Sequence, residues 1–363
     1  MAAGARASRN PIRTRAVRPG GGRRASARPG AAARWAGGVL LAVFTLASTA
    51  AAGIPESSRR KEPISPIPTT RSPAVPQAEL GRRLFNDPGL SADGSVSCAT
   101  CHPLEKGGMD GRVRSAGVGG KPGVINTPTV FNASLQFAQF WDARAVDVRA
   151  QIDGPLLDPR EMGTSWAAVI AYLEADDRYR ASFRKHYPEA DGIGPDEVRD
   201  AIGSFVETLL TPGAPFDRWL QGEADALTPD QRAGYARFKA LGCVACHQGV
   251  AVGGNMLQRF GILGDYFVDR GTPIEKADLG HFNVSGDEAD RHRFKVPSLR
   301  NVALTAPYFH DGSAATLDEA VRVMVKYQLG RTATPEDIRL IVSFLEALTG
   351  QWNGHPVGEG PGR

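Results

Sequence analysis

The pentapeptide Cys98-Ala99-Thr100-Cys101-His102 returns as Cys243-Val244-Ala245-Cys246-His247, and the two copies use all four cysteines of the 363-residue chain. C-x-x-C-H is the spacing of c-type haem attachment, in which two thiols add across the haem vinyl groups and the adjacent His supplies an axial nitrogen to the iron. A thioredoxin-like C-x-x-C and a zinc site built from two C-x-x-C pairs are the alternatives. The first needs no His after each pair, and the second leaves both His unexplained. The duplication therefore predicts two covalently bound haem c groups, one on Cys98, Cys101 and His102, the other on Cys243, Cys246 and His247.

Export is consistent with such chemistry, because haem is attached to these motifs outside the cytoplasm. Residues 1–53 hold nine Arg and no acidic side chain, with an apolar run from Val39 to Leu46 before the small residues Ala50-Ala51-Ala52. That order reads as a signal peptide, and the apolar core is short for a membrane span, so an uncleaved anchor is the lesser alternative. A periplasmic location follows, and with no cysteine left over no disulfide is expected. The formal charge of +4 comes from the leader: without it, 34 Lys and Arg face 39 Asp and Glu, a net charge of −5. Such a surface argues against a nucleic-acid partner.

Residues 54–76 are rich in Pro, Ser, Thr and charge and read as an extended linker. Leu80, Leu84 and Phe85 fall at helical spacing before Asp87-Pro88-Gly89, and Tyr235, Phe238 and Leu241 share a helical face just before Gly242-Cys243. This weak internal repeat predicts two cytochrome c-like units, each with a helix feeding its haem. Further helical faces run from Ala167 to Leu173 and through Val198, Ile202, Phe205, Val206, Leu209 and Leu210. The last helix carries the stripe Leu340, Ile341, Phe344, Leu345 and Leu348 behind the start signal Thr334-Pro335-Glu336. Residues 249–286 are rich in Gly and read as loop. The expected fold is all-α and loop-rich, with little or no sheet: a first haem domain over 77–212, a second over 213–350 and a tail over 351–363, with Thr211 to Pro215 linking the two.

With these elements in place, the chain resembles the bacterial dihaem cytochrome c peroxidases and the wider family that includes the dihaem enzymes maturing methylamine dehydrogenase. The likeness is carried by Leu84 to Pro88, both haem motifs, Asn126 to Val130, Phe140-Trp141-Asp142, Gly154-Pro155, Glu161-Met162, Pro297 to Val302 and Pro307 to His310. It implies that the N-terminal haem is the low-potential site of peroxide cleavage and the C-terminal haem receives electrons. It further implies that Glu161 is the acid-base group, Gln151 the amide that helps hold the pocket and Trp141 the bridge between the haems. Heterolysis moves a proton from one peroxide oxygen to the other, which is work for a carboxylate. Asn126 matches a ligand of the family's calcium ion, a weak indication by itself because calcium takes six to eight oxygens.

Two departures stand out. The position at which many members carry a distal His ligand is Val118, and no His lies between His102 and His186. The first iron is therefore expected to be open to peroxide without reductive activation, Met109 being the one soft side chain in that loop. At the second haem, Ala306 stands where the resemblance places a ligating Met before Pro-Tyr-Phe-His. Tyr308, Met256, Met324, His281, His292 and His310 are the candidates for its sixth ligand, with Tyr308 favoured by analogy to the maturation enzymes.

The leading expectation is a peroxidase that reduces hydrogen peroxide to water with electrons from a small cytochrome c or copper protein. The alternatives are an oxidase of the maturation type acting on a partner protein or organic substrate, and a dihaem electron carrier without turnover. Relatives tend to be dimers, so a homodimer is a further expectation of the resemblance.

Overall fold

In the computed structural model, residues 61–68 and 75–359 are described; the signal-peptide reading lies outside them. The helix Gln77–Phe85 lays Leu80, Leu84 and Phe85 against the helix Pro195–Glu207. Gly81 permits the approach, because a Cβ there would stand 1.8 Å from the Ala201 carbonyl oxygen. Phe85 and Phe205 close the crossing edge to face at 5.2 Å. The second half repeats the device. The helix Pro229–Leu241 crosses Pro335–Glu346 at Gly234, where a Cβ would meet the Leu340 carbonyl at 1.9 Å, and Phe238 reaches Phe344 at 5.1 Å. Thr228 with Gln231 and Thr334 with Asp337 cap these two helices, and Glu197 returns to the Gly194 N–H ahead of Pro195.

Each helix pair anchors one hydrophobic core. The first gathers residues from Leu80 to Leu209, and the second runs from Phe216 to Leu348 and takes Ile341, Phe344, Leu345 and Leu348 of the predicted stripe, Leu340 also being buried. Among the described residues, strand content is confined to two antiparallel pairs: Leu257–Arg259 with Arg293–Lys295, and Gln351–Trp352 with His355–Pro356. The mostly helical expectation holds. No helix among the described residues is long and apolar enough to cross a membrane.

Three expectations change. Residues 61–68 of the presumed linker are extended but docked. Ile64 and Ile67 are fully buried, Ile64 bridges to Gly249, and Glu62 accepts from Tyr235 and Lys239 at 2.9 Å each. Burying two isoleucines at about 1.5–3 kcal/mol apiece outweighs the composition's preference for solvent. The tail also returns. Val357 is buried in the first core, and Trp352 packs edge to face on Phe131 at 5.7 Å. The Gly-rich stretch 249–286 builds structure of its own, with Phe260, Tyr266 and Phe267 joining Phe294 and Tyr327 in a third cluster against Trp141, Phe309 and Met324. Phe260 is presented by a bend and Tyr266 and Phe267 by the five-residue helix Tyr266–Arg270, too short to show a period.

Candidate functional site

Both motifs open into cavities, about 650 Å³ at the first and about 240 Å³ at the second. Around the first motif, Ser97 and Thr100 cap the single turn Cys98–Cys101, which directs both thiols to one side. His102 Nδ1 donates to the Gly108 carbonyl at 3.0 Å, a geometry that the left-handed Gly107-Gly108 turn makes possible. His247 Nδ1 lies 3.3 Å from the Val252 carbonyl, with Val252 and Gly253 at positive φ. Fixing Nδ1 as the protonated nitrogen leaves Nε2 as the bare ligand atom. Burial pushes both imidazoles down, His247 to about 4, so both are neutral and fit for coordination.

The thiols fit haem attachment better than the two competing readings. Burial raises Cys98 to about 12 and Cys101 and Cys243 to about 11, the opposite of a redox-active thiolate. All four cysteines are free, and none joins a metal-capable cluster among the described residues. Each pair instead borders its own cavity beside its own His, the donor set that a c-type haem requires.

The first cavity is lined by His102, Gln151, Glu161, Met162 and Trp141 among others. Gln151 ends the short helix Val148–Gln151, which Asp147 caps through the Ala150 N–H at 2.8 Å. Glu161 sits on the loop after the helix Asp153–Leu157, its N–H donating to the Asp158 carbonyl at 2.9 Å. Burial raises its carboxyl above the ordinary range, Asp158 adds to the effect, and Arg144 and Arg160 oppose it. Arg160 is held by Asp158 at 2.7 Å, and Arg144 pairs with Asp142 at 2.9 Å while stacking over Phe140 at 3.4 Å. Both cations are thus engaged, and the carboxyl is left protonatable.

Val118 is buried in the first hydrophobic core, and its N–H donates to the Glu161 carbonyl at 2.8 Å. It braces the glutamate loop instead of walling the cavity. Gly117 lies so close beneath that a Cβ would stand 2.0 Å from the Arg160 carbonyl. Met109 is buried, with its sulfur accepting from the Gly111 N–H at 3.0 Å.

Trp141 lines both cavities, and its indole N–H donates to the Asn126 carbonyl at 2.9 Å. Asn126 is buried, its amide donating to the Arg112 carbonyl at 3.0 Å. The metal-capable cluster among the described residues lies elsewhere, at Asp278, His310 and Asp311, where Arg270 already pairs with both aspartates at 2.7 and 2.9 Å.

Of the six sixth-ligand candidates at the second haem, Tyr308, His310 and Met324 line that cavity. Tyr308 gives its hydroxyl to the Val302 carbonyl at 3.0 Å, and His310 Nε2 is 2.7 Å from Asp278. His281 and His292 are tied to the Asp142 and Asp278 carbonyls at 2.6 and 2.7 Å. Met324 opens a π-helical turn, Met324–Gln328, a distortion common where a helix serves a site. Lys295, which sequence reasoning passed over, lines both cavities. A charged residue in the strand pattern Arg293-Phe294-Lys295 gives no sign of burial, so only its shared position with Trp141 could have flagged it.

Two His-floored cavities with paired thiols define a protein with two c-type haem sites. Residues 76–225 match the family described as di-haem cytochrome c peroxidase. The cytochrome c peroxidase Ccp of Escherichia coli is 46% identical over 80% of this chain, which spans 62% of that relative's length. The cytochrome c551 peroxidase of Nitrosomonas europaea is 43% identical over 86% of this chain and 90% of its own length. The methylamine utilization protein MauG of Methylorubrum extorquens is 35% identical over 80% and 82%. Among solved structures, a MauG-like protein associated with microbial copper homeostasis superposes with a TM-score of 0.69 at 28% identity, over 80% of this chain and 94% of its own. The chain belongs to the di-haem cytochrome c peroxidase family.

Proposed function

We propose that the chain reduces hydrogen peroxide to water at the first site, taking electrons through the second from a small cytochrome c or copper protein in the periplasm. The balance is one peroxide, two protons and two electrons to two waters. The bound haem iron would supply the centre at which the oxygen–oxygen bond is split. One observation carries the reading: Glu161, with a raised carboxyl and both neighbouring cations engaged, shares a buried cavity with the ligand-competent His102. Glu161 takes a proton from one peroxide oxygen and returns it to the other, and Gln151 holds the pocket beside it. Val118 occupies the position of a distal His and lies in the core, which supports a first site open in the oxidised protein.

At the second site, Met324 replaces Tyr308 as the proposed sixth ligand. Met324 lines the cavity from the π-turn, whereas the Tyr308 hydroxyl is spent on Val302. A neutral sulfur favours the reduced iron, which suits a site that receives electrons.

Mixing the oxidised protein with stoichiometric hydrogen peroxide and following both haem spectra tests the proposal. Rapid change without prior reduction is expected. Reaction only after half-reduction would contradict the open site, and a long-lived doubly oxidised protein would favour the maturation-type oxidase over the peroxidase.

A further inference from the structure

Lys295 ends the strand Arg293–Lys295, and its backbone N–H donates to the Trp141 carbonyl at 2.8 Å. Its side chain turns inward, leaving the residue 6% exposed. The ammonium bonds to the Gln136 amide oxygen at 2.6 Å, and no carboxylate forms an ion pair with it among the described residues. Asp142, whose charge acts on Lys295, is itself bound by Arg144 at 2.9 Å. Burial pushes the ammonium down to about 8, with Asp142 working against it. A buried ammonium facing only a neutral amide is short of an anion, and buried charges are paired or coordinate a ligand.

Lys295 and Gln136 both line the first and the second cavity. Each cavity is proposed to hold a haem, and every haem carries two carboxylates. We propose that Lys295 pairs with a haem carboxylate at the boundary of the two cavities, so that one buried ammonium raises the reduction potential of the irons on either side. The inference rests on haem occupancy of both motifs. Lys295 is a positioning residue: it touches neither iron, and acts through the cofactor's acidic edge. Gln136 orients the ammonium, and the bond from the Lys295 N–H to Trp141 fixes the strand's register beside the indole. Positive charge near a redox centre disfavours its oxidised form, so the sign of the effect is set by Coulomb's law alone.

The test is K295M beside K295R in the holoprotein, with covalent haem counted per chain and both haem potentials measured by optical redox titration. With two haems bound, K295M is expected to lower at least one midpoint potential, and K295R to restore it. Unchanged potentials in a fully loaded K295M overturn the proposal. Should K295M lose haem, recovery in K295R supports the pairing, and loss in both variants overturns it in favour of a packing role. Wild-type protein without two haems would defeat the reading of the motifs instead, a result that the haem count separates from failure of the lysine proposal.

Discussion

Residues 126–155 and 295–324 run in one register. Pro128 and Pro297, Asn132 and Asn301, Phe140 and Phe309, and Asp142 and Asp311 all stand 169 residues apart. The backbone follows suit: both Asn have φ of 59°, Phe140 and Phe309 have φ of 67° and 71°, and bridges join Gln139 to Ala145 and Tyr308 to Ala314. Asp147 and Thr316 then cap the succeeding helices. On this shared course the side chains part ways. Asn126 is replaced by Lys295, Phe131 by Arg300, Trp141 by His310, Gln151 by Ala320 and Pro155 by Met324. The first copy leads through Gln151 and Pro155 to the acidic loop of Glu161, and the second sets a thioether at the matching turn of its helix. One loop scaffold thus builds two haem sites, and five exchanges assign them different chemistry.

The widest asymmetry is Glu161, which has no acidic counterpart lining the second cavity among the described residues. Glu161→Gln is expected to lower peroxide turnover by about 10²–10⁴-fold while both haems stay bound. Because burial raises this carboxyl, wild-type activity should fall with decreasing pH through a value above the ordinary glutamate range, as the base becomes protonated. The variant should lose that limb of the profile. Turnover unchanged by the substitution would remove Glu161 from the chemistry, and absence of peroxide turnover in the wild type would reduce the molecule to an electron carrier.

The exchange of Phe131 for Arg300 comes next. Both are fully buried, but Arg300 bonds to Asp217 at 2.7 Å, to the Val250 carbonyl at 2.9 Å and to Ser65 of the docked arm at 2.9 Å. Burial pushes the Asp217 carboxyl up, and its Oδ2 has no partner. Arg300→Met should therefore cost about 3–5 kcal/mol in denaturant unfolding, because it strands a buried carboxylate. Adding Asp217→Asn should recover much of the loss. A cost below about 1 kcal/mol for the single variant would show the pair to be ornamental, and the two copies equivalent at this position.

Gly81 and Gly234 test what the halves share. On an exposed helix Ala would be favoured over Gly by about 1 kcal/mol. Here a Cβ would lie 1.8 and 1.9 Å from a backbone carbonyl, so the sign reverses. Gly81→Ala and Gly234→Ala are each expected to destabilise by about 1–3 kcal/mol, the scale of overpacking. Unequal costs would show that one crossing relaxes where the other cannot.

Both motifs, the helices on either side and the apolar stripe at Leu340 to Leu348 were legible because each is a local pattern with a local cause. The return of Ile64 and Val357 to the cores was hidden: a Pro-rich arm and a polar tail are placed by what they meet, not by periodicity. The 169-residue register was present in the letters, but it lies in loops whose geometry depends on positive φ at Asn and Phe rather than on any hydrophobic period. Met324 was legible as one ligand candidate among six, and Lys295 was not legible at all. A lysine beside an edge strand ordinarily faces water, and a methionine on a helix ordinarily packs, until the cavities they share come into view.

The smallest effect separates Met324 from Tyr308. Tyr308 lies next to the cis Ala306-Pro307 bond, and burial raises its phenol to about 12, so it stays protonated and donates to Val302. Tyr308→Phe should cost only about 0.5–1.5 kcal/mol, the value of one hydrogen bond, and leave the second haem's spectrum as in the wild type. Met324→Leu, a change of similar volume, should move that spectrum toward the high-spin form and lower the potential while scarcely altering stability. The opposite pattern, a spectrum sensitive to Tyr308 and indifferent to Met324, would make the second site resemble the maturation enzymes. The contrast between the two halves would then lie in which substrate is oxidised, not in which haem supplies electrons.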